Sequence, residues 1–265
     1  MSLLHDRVAQ ILGTQVTLEQ RLAGGDIAGA LLLTLADGRR IVAKRGPTAA
    51  MEAEMLRSIA ATGVPVPAIV AVGNGLLLLD YIENDGGASW NGLSTALSLL
   101  HAPASEPYGW PVDYGFGRLG IPNQRSTDWP RFWAENRLLC NCRHIDRTLA
   151  FRLDRLANRL SGLLPARPPA ALLHGDLWGG NILWRGGRLA ALIDPACYYG
   201  DREVDYAMLS LFDEPPEAFI EQAALEPGWR ERREVYLLWP LLVHLRLFGE
   251  RYAGLVSACL ARLGF

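Results

Sequence analysis

The sequence predicts an α+β protein of two lobes, a small β-rich N-terminal lobe and a larger, mostly helical C-terminal lobe. Three observations lead there. Short β-type runs joined by tight-turn residues occupy much of the chain up to Tyr81. The polar stretch Asn84-Asp85-Gly86-Gly87 then interrupts the pattern. Beyond it, apolar residues recur mainly at helical spacing. The expected division is residues 1–82 and 83–265, with a hinge near 80–84.

Each element has a local reason. Residues 30–35 and 40–43 are β-type runs joined by Ala36-Asp37-Gly38, a hairpin signal. Residues 48–61 carry Met51, Met55, Leu56 and Ile59 at helical spacing, with Thr48 placed to cap. Val64-Pro65-Val66-Pro67 ends that helix, because a residue before proline is driven out of the α region. Strands at 69–72 and 76–79 follow around Gly73-Asn74-Gly75. A helix is expected at 94–101, a long loop at 103–126, and one or two helices over 129–164. Strands at 170–173, 182–184 and 189–193 come next, the last two joined by Gly186-Gly187. From about residue 204 the chain reads as helical, broken near Pro215-Pro216 and Pro227-Gly228.

Composition narrows the function classes. The chain has 265 residues, enough to bury a core without disulfide or metal. Lys and Arg number 26 against 28 Asp and Glu, for a formal net charge of −2 and no basic block, so nucleic acid is excluded as a partner. No apolar run reaches the length of a membrane span, and MSLLHDRVAQ has no signal-peptide core. Four cysteines are too few for a disulfide scaffold. The expectation is a soluble, cytoplasmic protein that neither crosses nor binds a membrane. No signal specifies its oligomeric state.

The stretch that carries chemistry is His174-Gly175-Asp176-Leu177-Trp178-Gly179-Gly180-Asn181, followed by Ile193-Asp194-Pro195. An aspartate, an asparagine five residues on, a β-hairpin and a closing aspartate meet the needs of phosphoryl transfer. Asp176 would accept the proton of an attacking hydroxyl. Asn181 and Asp194 would offer oxygen ligands to Mg²⁺ on nucleotide phosphates. The bland alternative is a polar turn between strands. The spacing of Asp and Asn alone is a weak signal; His174 before it and Ile-Asp-Pro on the exit strand decide for chemistry.

Here the sequence resembles a known group. His174-x-Asp176-x4-Asn181 matches the kinase catalytic-loop spacing, and Asp194 resembles the magnesium aspartate that follows it. The HGD form, with Asp194-Pro195, resembles the aminoglycoside-phosphotransferase branch of the protein-kinase-like fold. Within it, HGDLWGGN and IDPACYYGDREVDYAMLSLF resemble the fructosamine/ketosamine 3-kinase family. So do GGD with LTLADGRR, YGWPVD, DWPRFW and EPGWRERREVYLLWPLLVHLRLFG. The resemblance spans residues 8–260 or so. It implies the protein-kinase-like two-lobed fold, with ATP and Mg²⁺ as cofactors. It implies transfer of the γ-phosphoryl of ATP to the 3-hydroxyl of a ketosamine, a fructosamine or ribulosamine adduct of a free amine or a glycated protein. The role implied is deglycation.

The resemblance also implies site roles. Lys44, ending IVAK, is placed to contact the α- and β-phosphates. Its partner is expected to be Glu52, which shares the inward stripe with Leu56 and Ile59, whereas Glu54 faces solvent. Gly24 and Gly25 belong to a loop over the phosphates, although a Gly-Gly pair before a strand is usually only a turn. Asp80, Tyr81 and Ile82 are placed at the adenine edge. Asp205 is expected to brace the catalytic loop by accepting backbone N–H bonds, with Asp201 or Glu203 facing the substrate. Trp178, Tyr198 and Tyr199 are candidates for packing on a sugar ring, a position where aromatics serve equally as plain core. His244 is a candidate pocket residue, while His101 reads as core. Cys140-Asn141-Cys142 lacks a second pair at zinc spacing, and Arg230-Glu231-Arg232-Arg233-Glu234 reads as a solvated face. The stretch 211–227 is short against the family pattern. Two other readings compete: a kinase for another hydroxylated amine, such as an aminoglycoside or choline, and a nucleotide-binding pseudokinase.

Overall fold

In the computed structural model, which describes residues 3–22, 29–117 and 119–265, the chain opens with α1 (Leu3–Leu12), β1 (Val16–Arg21), β2 (Leu31–Leu35), β3 (Arg40–Arg45), α2 (Ala49–Ala61), β4 (Ile69–Gly73) and β5 (Leu76–Asp80). It continues through α3 (Trp90–Leu100), β6 (Tyr114–Phe116), β7 (Leu119–Ile121), α4 (Trp129–Trp133), α5 (Arg147–Ala157), β8 (Ala171–Leu173), β9 (Ile182–Arg185), β10 (Arg188–Leu192) and β11 (Tyr198–Gly200). It ends with α6 (Glu203–Phe212), α7 (Glu217–Gln222), α8 (Trp229–Phe248) and α9 (Ala253–Arg262). The expected phosphate-loop residues Gly24 and Gly25 lie outside the described residues. Among those described, no helix is long and apolar enough to cross a membrane.

Two compact units result: Met1–Ser89 with Ile182–Asp194, and Trp90–Asn181 with Pro195–Phe265. The first is built on an antiparallel sheet in the order β1-β2-β3-β5-β4. Its centre explains why Leu76-Leu77-Leu78-Leu79 is apolar throughout. Side chains alternate across a strand, and both faces here are covered. Leu76 and Leu78 pack with Leu4 and Val8 of α1 and with Leu33, Leu35, Ile41 and Ala43. Leu77 and Leu79 pack on the opposite face with Ala49, Ala53 and Leu56 of α2.

Two elements carry no sequence signal, and two local expectations need correction. Helix α1 shows only two buried residues, Leu4 and Val8, too thin a stripe to stand out. Strand β1 is an edge strand exposed along nearly its whole length, so it lacks an alternating pattern. Thr48 precedes α2 but is itself helical, and its hydroxyl makes no capping bond. The polar stretch 84–87 is no loose boundary but a clasp for the β9–β10 hairpin. Trp184 N donates to Asn84 Oδ1 at 3.0 Å, Gly186 N to Asp85 Oδ2 at 2.6 Å, and Asp85 N to Trp184 O at 2.9 Å. Leu192 N donates to Pro65 O at 2.9 Å. These bonds join the hairpin to the first unit, where the 1–82 and 83–265 division had put it in the second. The hairpin turns on Gly186 (φ 57°) and Gly187 (φ 69°), the left-handed pair that a two-residue connection needs.

The second unit packs around aromatic side chains. Trp129, Phe132, Trp133, Tyr198 and Tyr236 are all buried, and Trp129 Nε1 donates to Tyr236 Oη at 2.9 Å. The stretch 129–164 does not form one or two regular helices. After α4 come a π turn (Ala134–Leu138) and a 3₁₀ segment (Leu139–His144) before α5. Buried polar side chains disrupt the ladder there: Asn136 Nδ2 donates to Phe132 O at 3.2 Å and Asn141 Nδ2 to Arg137 O at 2.8 Å. Within the expected loop 103–126 sits the β6–β7 hairpin. The 230–234 segment is not simply solvated. Arg232 forms an ion pair with the buried Glu203 at 2.5 Å.

Candidate active site

In the first unit the site begins with strand alternation. Ala43 of β3 faces the α1 side of the sheet, so Lys44 faces α2. There its Nζ donates to Glu52 Oε1 at 2.5 Å, and Lys44 is only 9% exposed. Glu52 lies one turn before Leu56 on the packed stripe, while Glu54 is exposed, as the helical period predicts. Lys44 Nζ also contacts Asp194 Oδ1. Asp194 follows β10 with φ at 54°, a left-handed conformation rare for a residue with a side chain, and such outliers cluster at functional positions. The clasped hairpin thus brings Asp194 to a lysine 150 positions earlier. At the strand end, Asp80 N donates to Ala68 O at 2.9 Å and Tyr81 N to Arg40 O at 3.2 Å. Ile82 N–H makes no hydrogen bond among the described residues. Of the three residues placed at the adenine edge, Ile82 therefore keeps a backbone donor to offer.

In the second unit, β8 pairs antiparallel with β11 and delivers the loop from His174 onward. Gly175 has φ 78°, and a Cβ there would collide with the Ala196 carbonyl oxygen, so the loop passes only as glycine. Asp205 of α6 braces it as expected. Its Oδ2 accepts from His174 N at 2.8 Å and from His101 Nε2 at 2.9 Å, and its Oδ1 accepts from Gly175 N at 2.9 Å. Burial alone would raise the Asp205 carboxyl. The His101 hydrogen bond and charge, the His174 charge and the Gly175 N–H outweigh that and hold its pKa below the ordinary value. His101 is a core histidine, as its apolar run implied: Nε2 bonds Asp205, and Nδ1 has no hydrogen-bond partner among the described residues.

Asp176 keeps part of its surface accessible. Burial of its carboxyl pushes its pKa up to about 6, a shift that the Asn181 hydrogen bond opposes and the Asp205 charge reinforces. Asn181, on the 3₁₀ turn Gly179–Asn181, donates through Nδ2 to Asp176 O at 2.8 Å and to Asp176 Oδ2 at 3.1 Å. This orients the amide so that Oδ1, an oxygen suited to Mg²⁺, is left for a ligand. Asp194 likewise offers a carboxylate that is partly exposed. Mg²⁺ commonly takes one or two protein carboxylates and completes its shell with water and phosphate. Each donor is by itself of the oxygen type that suits Mg²⁺, and no group of three or more metal-ligating side chains exists among the described residues.

The remaining candidates divide. Trp178 is half-buried and meets Phe212 edge-on at 6.0 Å. Tyr199 is half-buried and stacks on Trp110 at 6.0 Å. His244 is half-buried and donates from Nδ1 to Pro240 O at 2.7 Å. Asp201 and Glu203 do not face a substrate. Asp201 is 5% exposed; its Oδ1 accepts from Glu203 N at 3.1 Å and its Oδ2 from Tyr236 Oη at 2.8 Å. It closes the start of α6, while Glu203 holds Arg232. Cys140 and Cys142 are free thiols whose pKa burial raises, the opposite of a reactive or metal-binding pair. One anchor had no sequence signal: Asp213 Oδ2 accepts from Gly179 N at 2.7 Å, pinning the turn that carries Asn181.

Comparison with known proteins adds independent findings. The model of the fructosamine kinase family matches residues 3–263. A Lactiplantibacillus plantarum protein named "Probable ketoamine kinase" is 32% identical, covering 98% of this chain and 99% of its own. A Thermus thermophilus protein of the same description is 36% identical over 77% of this chain and 78% of its own. A crystal structure from Thermobifida fusca, solved as a candidate fructosamine-3-kinase, superposes with a TM-score of 0.87 at 28% identity over 98% of both chains. The aminoglycoside phosphotransferase APH(4)-Ia shares the fold, with a TM-score of 0.69 at 19% identity over 99% of this chain and 98% of its own.

Proposed function

The chain belongs to the fructosamine kinase family, and from that premise we propose that it transfers the γ-phosphoryl group of ATP to the 3-hydroxyl of a ketosamine. The observation that carries the reaction is the Asp176–Asn181 pair. A carboxylate with a pKa near 6 is ionised at neutral pH and basic enough to accept a proton. The Asn181 amide fixes its orientation. In the step, the 3-hydroxyl oxygen forms a bond to the γ-phosphorus as the bond to the β–γ bridging oxygen breaks. ADP departs, and the hydroxyl proton passes to Asp176.

Asn181 Oδ1 and the Asp194 carboxylate are the groups that would hold Mg²⁺, which when bound neutralises charge on the phosphates. Lys44, held by Glu52, is assigned to the α- and β-phosphates. Asp80, Tyr81 and Ile82 are assigned to the adenine edge, and Gly24 and Gly25 to the phosphate loop. Trp178, Tyr199 and His244 are assigned to the acceptor, and Asp201 is not, since its oxygens are engaged inside the fold. The acceptor class supports a deglycation role in the cytoplasm, on a free adduct or a glycated protein. The filled catalytic positions oppose the pseudokinase reading.

The test is ADP release with Mg·ATP and a panel of ribuloselysine, fructoselysine, choline and kanamycin. Turnover on a ketosamine that Asp176→Ala loses is expected. Turnover on choline or kanamycin alone would retain the chemistry and discard the acceptor. Nucleotide binding without turnover on any of them would favour the pseudokinase.

A further inference from the structure

Acceptors of the proposed class carry a secondary amine that is protonated at neutral pH, and the second unit holds a surface suited to such a cation. Trp178 meets Phe212 at 6.0 Å, Phe212 meets His244 at 5.1 Å, and His244 meets Tyr252 at 5.0 Å. Phe212 is a large apolar side chain left 46% exposed. Beside it, the Asp213 carboxylate is held against the catalytic loop. Its Oδ2 accepts from Gly179 N at 2.7 Å, and a Cβ on Gly179 would collide with Oδ1. That glycine is what admits the carboxylate. One hydrogen bond leaves most of a carboxylate's acceptor capacity unused.

The far end of the ring set already shows how it takes a cation. The Arg251 guanidinium stands 5.3 Å over Phe248 and 5.2 Å over Tyr252. Among the described residues, no Lys or Arg stands over Trp178 or Phe212. Ring faces and an adjacent carboxylate together favour a cation over a neutral group. Trp178 lies two residues from Asp176, so their Cα atoms are at most about 7 Å apart. In a ketosamine, four bonds separate the 3-hydroxyl oxygen from the amine nitrogen.

We propose that Trp178, Phe212 and Asp213 form the subsite for the protonated amine of the acceptor, a specificity device that rests on the ketosamine reading for the identity of its ligand. Asp213 supplies the opposing charge, and the exposed Phe212 ring with Trp178 edge-on beside it offers the aromatic surface on which the ammonium rests. The subsite selects amine adducts over neutral ones bearing the same sugar.

The experiment compares 1-deoxy-1-propylamino-fructose with its N-acetyl derivative as acceptors for wild type, Asp213→Asn and Glu214→Gln. In Asp213→Asn the side-chain amide oxygen still accepts from Gly179 N–H, so the loop anchor is conserved while the charge is removed; Glu214 is an exposed neighbouring acid. The wild type should prefer the amine by about tenfold or more in kcat/KM, and Asp213→Asn should compress that ratio at least about fivefold, through the KM of the amine. Glu214→Gln should keep the wild-type ratio. An unchanged ratio in Asp213→Asn, or equal compression in Glu214→Gln, overturns the proposal. If the wild type turns over neither adduct, the ketosamine reading falls. Calorimetric binding of the propylamine adduct that Asp213→Asn weakens would then still support the subsite, and equal binding by both proteins, or none, would overturn it.

Discussion

At the scale of single residues, the site rests on two aspartates that the same loop treats in opposite ways. Asp176 has little to offset its burial and rises to about 6, whereas Asp205 gathers three hydrogen bonds and falls. Asp176 must be ionised to accept a proton, so kcat/KM for Mg·ATP should fall about tenfold per pH unit below about pH 6. Asp176→Asn should lower kcat by about 10²–10⁴. A pH–rate profile and steady-state kinetics check both. Asp205 contributes through its ionised form. Because its folded pKa is depressed, the contribution is complete above the ordinary value of 3.8 and is lost as pH falls through the lower folded value. Asp205→Ala should destabilise the fold by about 3–5 kcal/mol at neutral pH, by leaving His101 and two backbone donors without their acceptor. Urea denaturation followed at neutral pH and near pH 3 should show the difference from wild type shrinking in acid. The contact between Asp176 and Asn181 was legible because their spacing is local. The inward turn of Asp201 was not, because its partner Tyr236 lies 35 residues away.

At the scale of elements, the loop after β8 owes its path to Gly175 and its bracing to α6. Gly175→Ala would set a methyl against the Ala196 carbonyl and require φ 78° of a residue that resists it. The expected outcome is a fall in kcat of at least about tenfold, as Asp176 shifts from its productive position. The far-ultraviolet circular dichroism spectrum should stay that of wild type, since β8 and β11 remain paired. Hairpins with glycine turns and the apolar strand at 76–79 were readable, because turn chemistry and period are properties of adjacent residues. The 129–164 stretch was not. Its apolar content reads as helix, but Asn136, Arg137 and Asn141 turn inward, and only their tertiary partners reveal that. Arg137 lies 4.1 Å over the Tyr198 ring and 4.9 Å over Trp239.

At the scale of the whole molecule, the proposed roles divide between the two compact units. Lys44, Glu52 and Asp194 belong to the first, and Asp176 and Asn181 to the second. Lys44→Met should therefore weaken nucleotide affinity about tenfold or more, while Asp176→Asn leaves it near wild type and lowers kcat instead. Calorimetry with a non-hydrolysable ATP analogue separates the two. Residue order alone was enough for the two-lobed fold class and the reaction type, which motif spacing and local period carry, and helical period chose Glu52 over Glu54 as the partner of Lys44. The Asp205 brace came from the family resemblance, since its partners lie 30 or more positions away. Only the tertiary structure assigned the β9–β10 hairpin to the first unit, turned Asp201 inward and set Asp213 against Gly179. Those outcomes depend on hydrogen bonds between residues tens of positions apart, and packing, not local pattern, selects such partners.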